Sequence, residues 1–410
     1  MWILILTPIF LPDEYPIAYL LNDVAEGLSN LGHSIQVITF GNQESSVNLV
    51  DRHKASGSTF EVVRIPIVRK NSSGLLYKAL SYFQFGRLAY KYRERYTPPD
   101  IIYTVVPSNE NGLAAKRLAK YFGCPCIINV QDIHPDAIFS VGIIKNSLLK
   151  AILRAQEKYM YAGCAGITVI GHSFKTNLEH KKISQPIRVI PNWVQVEDYF
   201  ATPDETIKFR ECLKISNDKF VVLYSGTFGR IHGTEVILEA AKLSRDNSNI
   251  LYLLVGRGIG FDACEHEVKK HDLTNVLMRA PVPRNQLAAL QSVSDISLVT
   301  LLPSLGYTSI PSKVLGYMAA ARPVLAMADS DCDTARLILK ADCGFVLPPG
   351  SPVELSAFLA NVAVNKEKLK SMGLKGRSFV CENLSKSVLI PSLDSFLRES
   401  CENYNASKVQ

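Results

Sequence analysis

Short, unbroken apolar runs alternating with helical patterns narrow the folds open to this chain more than any other feature. Residues 2–6, 35–40, 61–65, 100–106, 125–130, 165–171 and 187–191 form a first series of such runs. A helical pattern at 17–31 separates the first two, with Leu20, Leu21, Val24, Leu28 and Leu31 on one face and Gly32 as its stop. Runs that are apolar along their whole length predict strands covered on both faces. Their alternation with helices predicts a parallel sheet. A polar stretch with three aromatics at 192–203 breaks the rhythm and marks a hinge. The alternation restarts at 220–225, 250–255, 275–280, 296–300, 324–327 and 344–347, with helices expected at 234–243, 260–271, 285–291 and 313–321. Helical stretches at 352–364, 366–382 and 386–403 close the chain. The expected class is α/β: two doubly wound, Rossmann-like parallel-sheet domains, residues 1–195 and 196–385, facing a cleft, then a last helix within 386–410.

Composition supports that reading. A chain of 410 residues exceeds the usual size of one core, and 47% hydrophobic with 20% charged residues suits a globular protein with a large interior. The opening MWILILTPIFLP is too short to span a bilayer and lacks the basic start of a signal peptide. Nine cysteines lie scattered without CxxC or Cys/His ligand spacing, which points to a reduced cytoplasmic protein with no metal site. The net charge of +7 is modest, and its main concentration lies at 69–95.

Ligands of such sheets bind beyond the carboxyl ends of the strands. The loops that follow the predicted strands, at 7–16, 107–110, 131–141, 226–233, 256–260 and 301–312, therefore carry the candidates. In TLLPSLGYTSIPSKVLGYMAAARPVLAM (300–327), a strand runs through a polar loop into a helix. Ser312 is its expected N-cap, and backbone amides with Lys313 beside them would suit a phosphate. SGTFGRIHG (225–233) follows a strand and precedes a helix. Its glycines let a backbone approach a diphosphate, with Arg230 and His232 as donors; the alternative is a surface turn with a solvated arginine. VGRGIG (255–260) misses the GxGxxG spacing.

VQDIHPDA (130–137) sets Asp132, His134 and Asp136 just after a strand. These groups could bind a sugar hydroxyl or accept a proton, or they could serve as turn caps around Pro135. SSGLLYKALSYFQFGRLAYKYRERY (72–96) interleaves apolar and aromatic residues with Lys78, Arg87, Lys91, Arg93 and Arg95. A helix of this kind can lie on an anionic bilayer, or it can pack on the sheet with a charged outer face. With no nucleic-acid-binding module beside it, no nucleic-acid partner is expected.

Taken together these stretches resemble the GT-B glycosyltransferases of family 4, and within them the bacterial WcaI/WbuB-like branch that builds surface polysaccharides. LSNLGHSIQVIT (28–39), NVQDIHPDA (129–137), VIPNW (189–193), YSGTFGRIHG (224–233), LLVGRG (253–258) and IPSKVLGYMAAARPVLA (310–326) match in order and spacing. The resemblance implies a retaining, metal-independent transferase of hexosyl or N-acetylhexosaminyl groups that uses a nucleotide-sugar co-substrate and no cofactor. Its donor is expected to be a UDP-sugar and its acceptor a lipid-linked saccharide for O-antigen, capsule or exopolysaccharide. It would sit peripherally on the inner face of the cytoplasmic membrane, through 72–96.

By the same resemblance, Gly226, Thr227, Gly229, Arg230, His232, Gly256, Arg257, Ser312 and Lys313 would hold the donor. Glu14, Tyr15 and Asn109 would meet the acceptor, Asp132 and His134 would stand at the reacting centre, and the last helix would pack back on the N-terminal domain. The chain departs from the family pattern at several positions. Thr308 and Gly316 stand where two glutamates are common, the second of them a ribose ligand. Ala321 replaces a glycine, Gln131 a histidine and His232 a lysine, and Tyr15-Pro16 replaces a Gly-Gly pair. Two other readings follow: a non-catalytic GT-B-like subunit binding a partner transferase or glycan, and a sugar-nucleotide epimerase of GT-B fold.

Overall fold

The computed structural model describes residues 1–409 except 14, 42–49, 56–57, 67–74, 107–108, 141, 143 and 230–232. Its backbone contacts divide the chain into a first unit, Met1–Asn192 with Lys386–Gln410, and a second, Trp193–Ser385.

The first unit holds β1 (Trp2–Leu6), β2 (Ser34–Phe40), β3 (Val50–Ala55), β4 (Ser58–Ile65), β5 (Ile101–Val106), β6 (Cys126–Val130), β7 (Gly166–Val169) and β8 (Ile187–Val189). They form one sheet in the order β3-β4-β2-β1-β5-β6-β7-β8. Every residue of β5 and of β6 is buried, as strands covered on both faces require. The exception to the parallel pattern is β3, which runs antiparallel to β4 with Val50 opposite Val63. This strand falls where a polar loop was expected. As an edge strand it is specified by main-chain pairing with one neighbour, so VDRHKA carries no apolar signature.

The helix Pro16–Asn30 buries Leu21, Val24 and Leu28. The closing helix, Lys386–Val409, lies against it in the same unit. Lys386 Nζ reaches Asp23 at 3.0 Å and Glu26 at 2.9 Å, and Asp394 Oδ1 stands 2.7 Å from His33 Nε2.

The second unit holds β9 (Phe220–Thr227), β10 (Ile250–Arg257), β11 (Val276–Arg279), β12 (Ile296–Thr300), β13 (Val324–Met327) and β14 (Gly344–Leu347), in the all-parallel order β11-β10-β9-β12-β13-β14. Tyr224, Tyr252, Ile296, Leu298 and Leu325 of the sheet pack with Ile237, Leu355 and Leu359 from covering helices in one core. Full burial of each such aliphatic side chain contributes about 1.5–3 kcal/mol.

Two expectations here need correction. The hinge stretch contains a 3-10 turn, Val196–Tyr199, and leads into an unexpected helix, Pro203–Cys212. That helix buries none of its residues, so it shows no apolar stripe. It is specified by a capping box between Thr202 and Glu205 with a proline in the first turn. The helix after β12 spans only Lys313–Ala319, because Ala321 takes a left-handed φ of 54° and turns the chain toward β13.

Candidate functional site

In the second unit the strand order reverses between β9 and β12: the chain runs from β9 outward through β10 and β11, then returns to β12 on the other side. Such a reversal opens a crevice at the carboxyl ends of the two strands. Gly226 lies at the end of β9, and the helix Lys313–Ala319 begins beyond the loop that leaves β12. The two meet. A Cβ placed on Gly226 would fall 2.8 Å from Lys313 Nζ, and Gly226 has a φ of 150°. That φ is one that residues with a Cβ rarely adopt, and a side chain there would push the end of the lysine aside.

Lys313 Nζ is buried and has no hydrogen-bond partner among the described residues. It lies 3.7 Å from the centroid of the Tyr224 ring, whose face partly compensates the charge. Burial pushes the ammonium down to about 7. A cation enclosed without a counter-charge is costly, and it fits a place that an anion completes.

Two tyrosines that the sequence reading did not single out build this corner. Tyr224 supplies the ring and donates from its hydroxyl to the Thr227 carbonyl at 2.8 Å. The Tyr317 hydroxyl accepts the Ser225 amide hydrogen at 2.8 Å and so holds the end of β9. Tyr317 sits four residues after Lys313 on the same helix face, and that spacing was the available signal.

The β10 loop is packed beneath. Gly256 pairs with Gly226 in register, and a Cβ on Gly256 would fall 1.8 Å from the Gly226 carbonyl oxygen. Gly256 therefore serves close strand approach. Arg257 and Thr227 are exposed at the ends of their strands, and Gly229 is half-buried. Arg230 and His232 lie outside the described residues.

Ser312 corrects an expectation. It has helical backbone angles and makes no side-chain cap, and its side chain is exposed. The amides of Val314 and Leu315 are taken up by the carbonyls of Pro311 and Ser312. The positive charge of this corner resides in the Lys313 side chain rather than in a capped helix start.

In the first unit the order reverses between β1 and β5. Tyr15, 54% exposed, precedes the helix after β1, and Asn109 is buried at the start of the helix Asn109–Phe122 after β5. Glu14 lies outside the described residues. After β6, the main chain turns so that the His134 amide donates to the Asp132 carbonyl. Asp132 and His134 are half-buried, and burial holds the His134 imidazole below its ordinary value, so it is neutral at pH 7. Asp136 is structural: Lys181 Nζ sits 2.9 Å from it and 2.7 Å from buried Glu157. Gln131 and Asn192 exchange amide hydrogen bonds of 3.0 and 2.8 Å, and Gln131 also donates to Asn129. Among the described residues no cluster of His, Cys, Asp and Glu could hold a metal, and all nine cysteines are free.

Two family models match the chain. The model for glycosyl transferases group 1 matches residues 205–379, and the glycosyl transferase 4-like domain matches residues 17–193. The probable glycosyltransferase WbjE of Pseudomonas aeruginosa is 26% identical over 80% of this chain and 81% of its own length. The putative colanic acid biosynthesis glycosyl transferase WcaI of Escherichia coli K12 is 23% identical over 80% and 83%. The crystal structure of Anabaena HepE in complex with UDP-glucose superposes with a TM-score of 0.70 at 16% identity, covering 97% of this chain and 100% of that one.

Proposed function

This chain belongs to the GT-B glycosyltransferases of family 4, in their WcaI-like branch, and from that premise we propose that it transfers a sugar from a UDP-sugar to a lipid-linked saccharide in bacterial surface-polysaccharide synthesis. The observation that carries the reading is the buried Lys313 Nζ, without a hydrogen-bond partner among the described residues, beside Gly226 at the strand-order reversal. A diphosphate there would supply the missing counter-charge. The lysine would then stabilise the negative charge that grows on the leaving diphosphate as the glycosidic bond breaks, the stage at which a fixed cation speeds the reaction most. No metal is needed for that step if Arg230 and Arg257 add their charges. Retention of anomeric configuration and a hexosyl or N-acetylhexosaminyl donor belong to the same proposal.

The acceptor would meet the first unit near Tyr15, Asn109, Asp132 and His134. A neutral imidazole at His134 can accept a hydrogen bond from a sugar hydroxyl. Among the described residues no helix is long and apolar enough to cross a membrane. The proposed contact with the inner face of the cytoplasmic membrane is peripheral, through 72–96. In that stretch Leu80 and Phe83 are more than half exposed, and Arg87 and Lys91 are exposed beside them. Phe85 is instead buried against Phe40, and Arg93 is folded over Tyr90 and Tyr121.

One observation favours a second reading, a subunit that binds without turnover. At position 316 the chain has no carboxylate, and the space a side chain would need is filled by Tyr199 and Gln291. Titration calorimetry with UDP-glucose and a panel of nucleotide sugars tests the binding step. Lys313→Met is expected to lose affinity on the order of a hundredfold, as removal of a buried charge partner does. Unchanged affinity would refute the donor assignment, whereas tight binding with no product from any lipid-linked acceptor would favour the second reading.

A further inference from the structure

The helix Ser147–Tyr161 in the first unit is apolar on two faces. One face is inward and carries Met160, Tyr161 and Glu157. The other looks to solvent. Leu148 is 69% exposed, Ile152 55% and Tyr159 63%, and Leu149 lies beside them. Positions 148, 152, 155 and 159 stack along one side of a helix, so these side chains and Ala155 make a continuous stripe. An apolar stripe pointing outward has no role in the core of its own unit.

Cations flank the stripe. Arg154 and Lys158 are exposed along its flank, and Lys145 is exposed just before the helix. Lys150 and Arg154 reach over the Phe139 ring at 5.4 and 5.5 Å, and Lys116 Nζ lies 3.8 Å from the centre of the Tyr159 ring. The only acid of the helix, Glu157, is buried and paired with Lys181. The neighbouring helix Asn109–Phe122 adds exposed Arg117 and Lys120.

We propose that this helix docks the protein on an anionic phospholipid bilayer, lying in the plane of the interface with Leu148, Ile152 and Tyr159 among the acyl chains and the cations at the headgroups. Charge decides between the occupants. In a two-fold contact between copies the same patch meets itself, which would set Arg154 and Lys158 against their own equivalents. An anionic surface attracts the exposed cations Lys145, Arg154 and Lys158, and it accepts leucine, isoleucine and tyrosine at its depth. The inference deepens the proposed function by naming a second membrane element besides 72–96, and it rests on that reading only for the peripheral contact.

Co-sedimentation with sucrose-loaded vesicles of phosphatidylcholine containing 30% phosphatidylglycerol, against pure phosphatidylcholine, tests it. Three proteins are compared: the full chain, Leu148→Ser/Ile152→Ser/Tyr159→Ser, and Leu80→Ser/Phe83→Ser. All substituted residues are exposed, so thermal melting and UDP-glucose affinity are expected to stay unchanged. The first variant is expected to lose on the order of tenfold in partitioning onto the anionic vesicles, and the full chain to bind pure phosphatidylcholine far less. Equal partitioning of that variant and the full chain would overturn the proposal, and loss confined to the second variant would overturn it while sparing contact through 72–96. No binding by the full chain would end both. A dimer of the full chain in sedimentation velocity that the first variant abolishes would assign the stripe to self-association and overturn the proposal.

Discussion

The Tyr199 ring occupies the space into which any side chain at Gly316 would have to grow: a Cβ on Gly316 would fall 2.9 Å from Tyr199 Cε1 and 3.1 Å from Gln291 Nε2. Gly316 lies inside the helix that carries Lys313, where glycine ordinarily costs about 0.5–1 kcal/mol relative to alanine. Here the sign reverses. Gly316→Ala is expected to destabilise the protein by about 1 kcal/mol through overpacking, and Tyr199→Ala is expected to restore the usual preference for alanine. A double-mutant cycle by urea denaturation measures the coupling; a value near zero would mean that the ring moves aside freely.

Lys313 is expected to cost stability in the ligand-free protein. Its folded pKa of about 7 lies below the ordinary lysine value, so between pH 7 and about 10.4 the unfolded chain binds more protons than the folded one. Stability contributed at this residue therefore rises with pH across that window, and below pH 7 the full penalty is present. Lys313→Met is expected to stabilise the free protein at pH 7 by on the order of 3 kcal/mol while abolishing that part of the pH dependence. Chemical denaturation at pH 7 and pH 9.5 checks both.

The same lysine predicts how donor binding depends on pH. A diphosphate needs the ammonium form, so UDP-glucose affinity is expected to fall as pH rises above 7, by up to about tenfold per unit until the pKa of the complex is reached. UDP-glucose suits the measurement because its diphosphate has no proton to lose near neutrality. Calorimetry from pH 6 to 9 gives the slope, and a flat profile would show that Lys313 does not face the phosphates.

Ala321 holds a φ of 54°, a left-handed conformation that costs a residue with a Cβ about 1–2 kcal/mol. Ala321→Gly removes that strain at the expense of greater freedom in the unfolded chain. The net expectation is a gain of about 0.5–1 kcal/mol. A rise of a few degrees in melting temperature would agree with this, and a fall would not.

Lys181 stands between Glu157 and Asp136, 2.7 and 2.9 Å away. Lys181→Ala would leave Glu157 buried without its cation. The expected cost is about 2–3 kcal/mol, and Lys181→Met/Glu157→Gln should recover most of it. Thermal unfolding of both variants tests the pair.

The buried strands were legible because burial on both faces writes itself into sequence: β5 and β6 are apolar but for Thr104 and Asn129, and β12, β13 and β14 were delimited to the residue. Lys313 stood out for a different reason, as a cation beside the amides of an expected helix start that follows a buried strand. The edge strand β3 stayed hidden because its main-chain pairing with one neighbour leaves no mark in VDRHKA, and the helix Pro203–Cys212 because capping specifies it without burial of its own residues. Ser312 was misjudged because a serine before a helix has the same letter whether or not its side chain turns back to cap.

What the sequence by itself determined is the succession of buried strands and covering helices, since each local run states its own need for burial. Only the tertiary structure decided that Lys313 is enclosed against Gly226 and Tyr224, that Tyr199 takes the room at Gly316, and that Leu148 and Ile152 face outward. Contacts between residues distant along the chain have no local signature, because they depend on how close two backbones come.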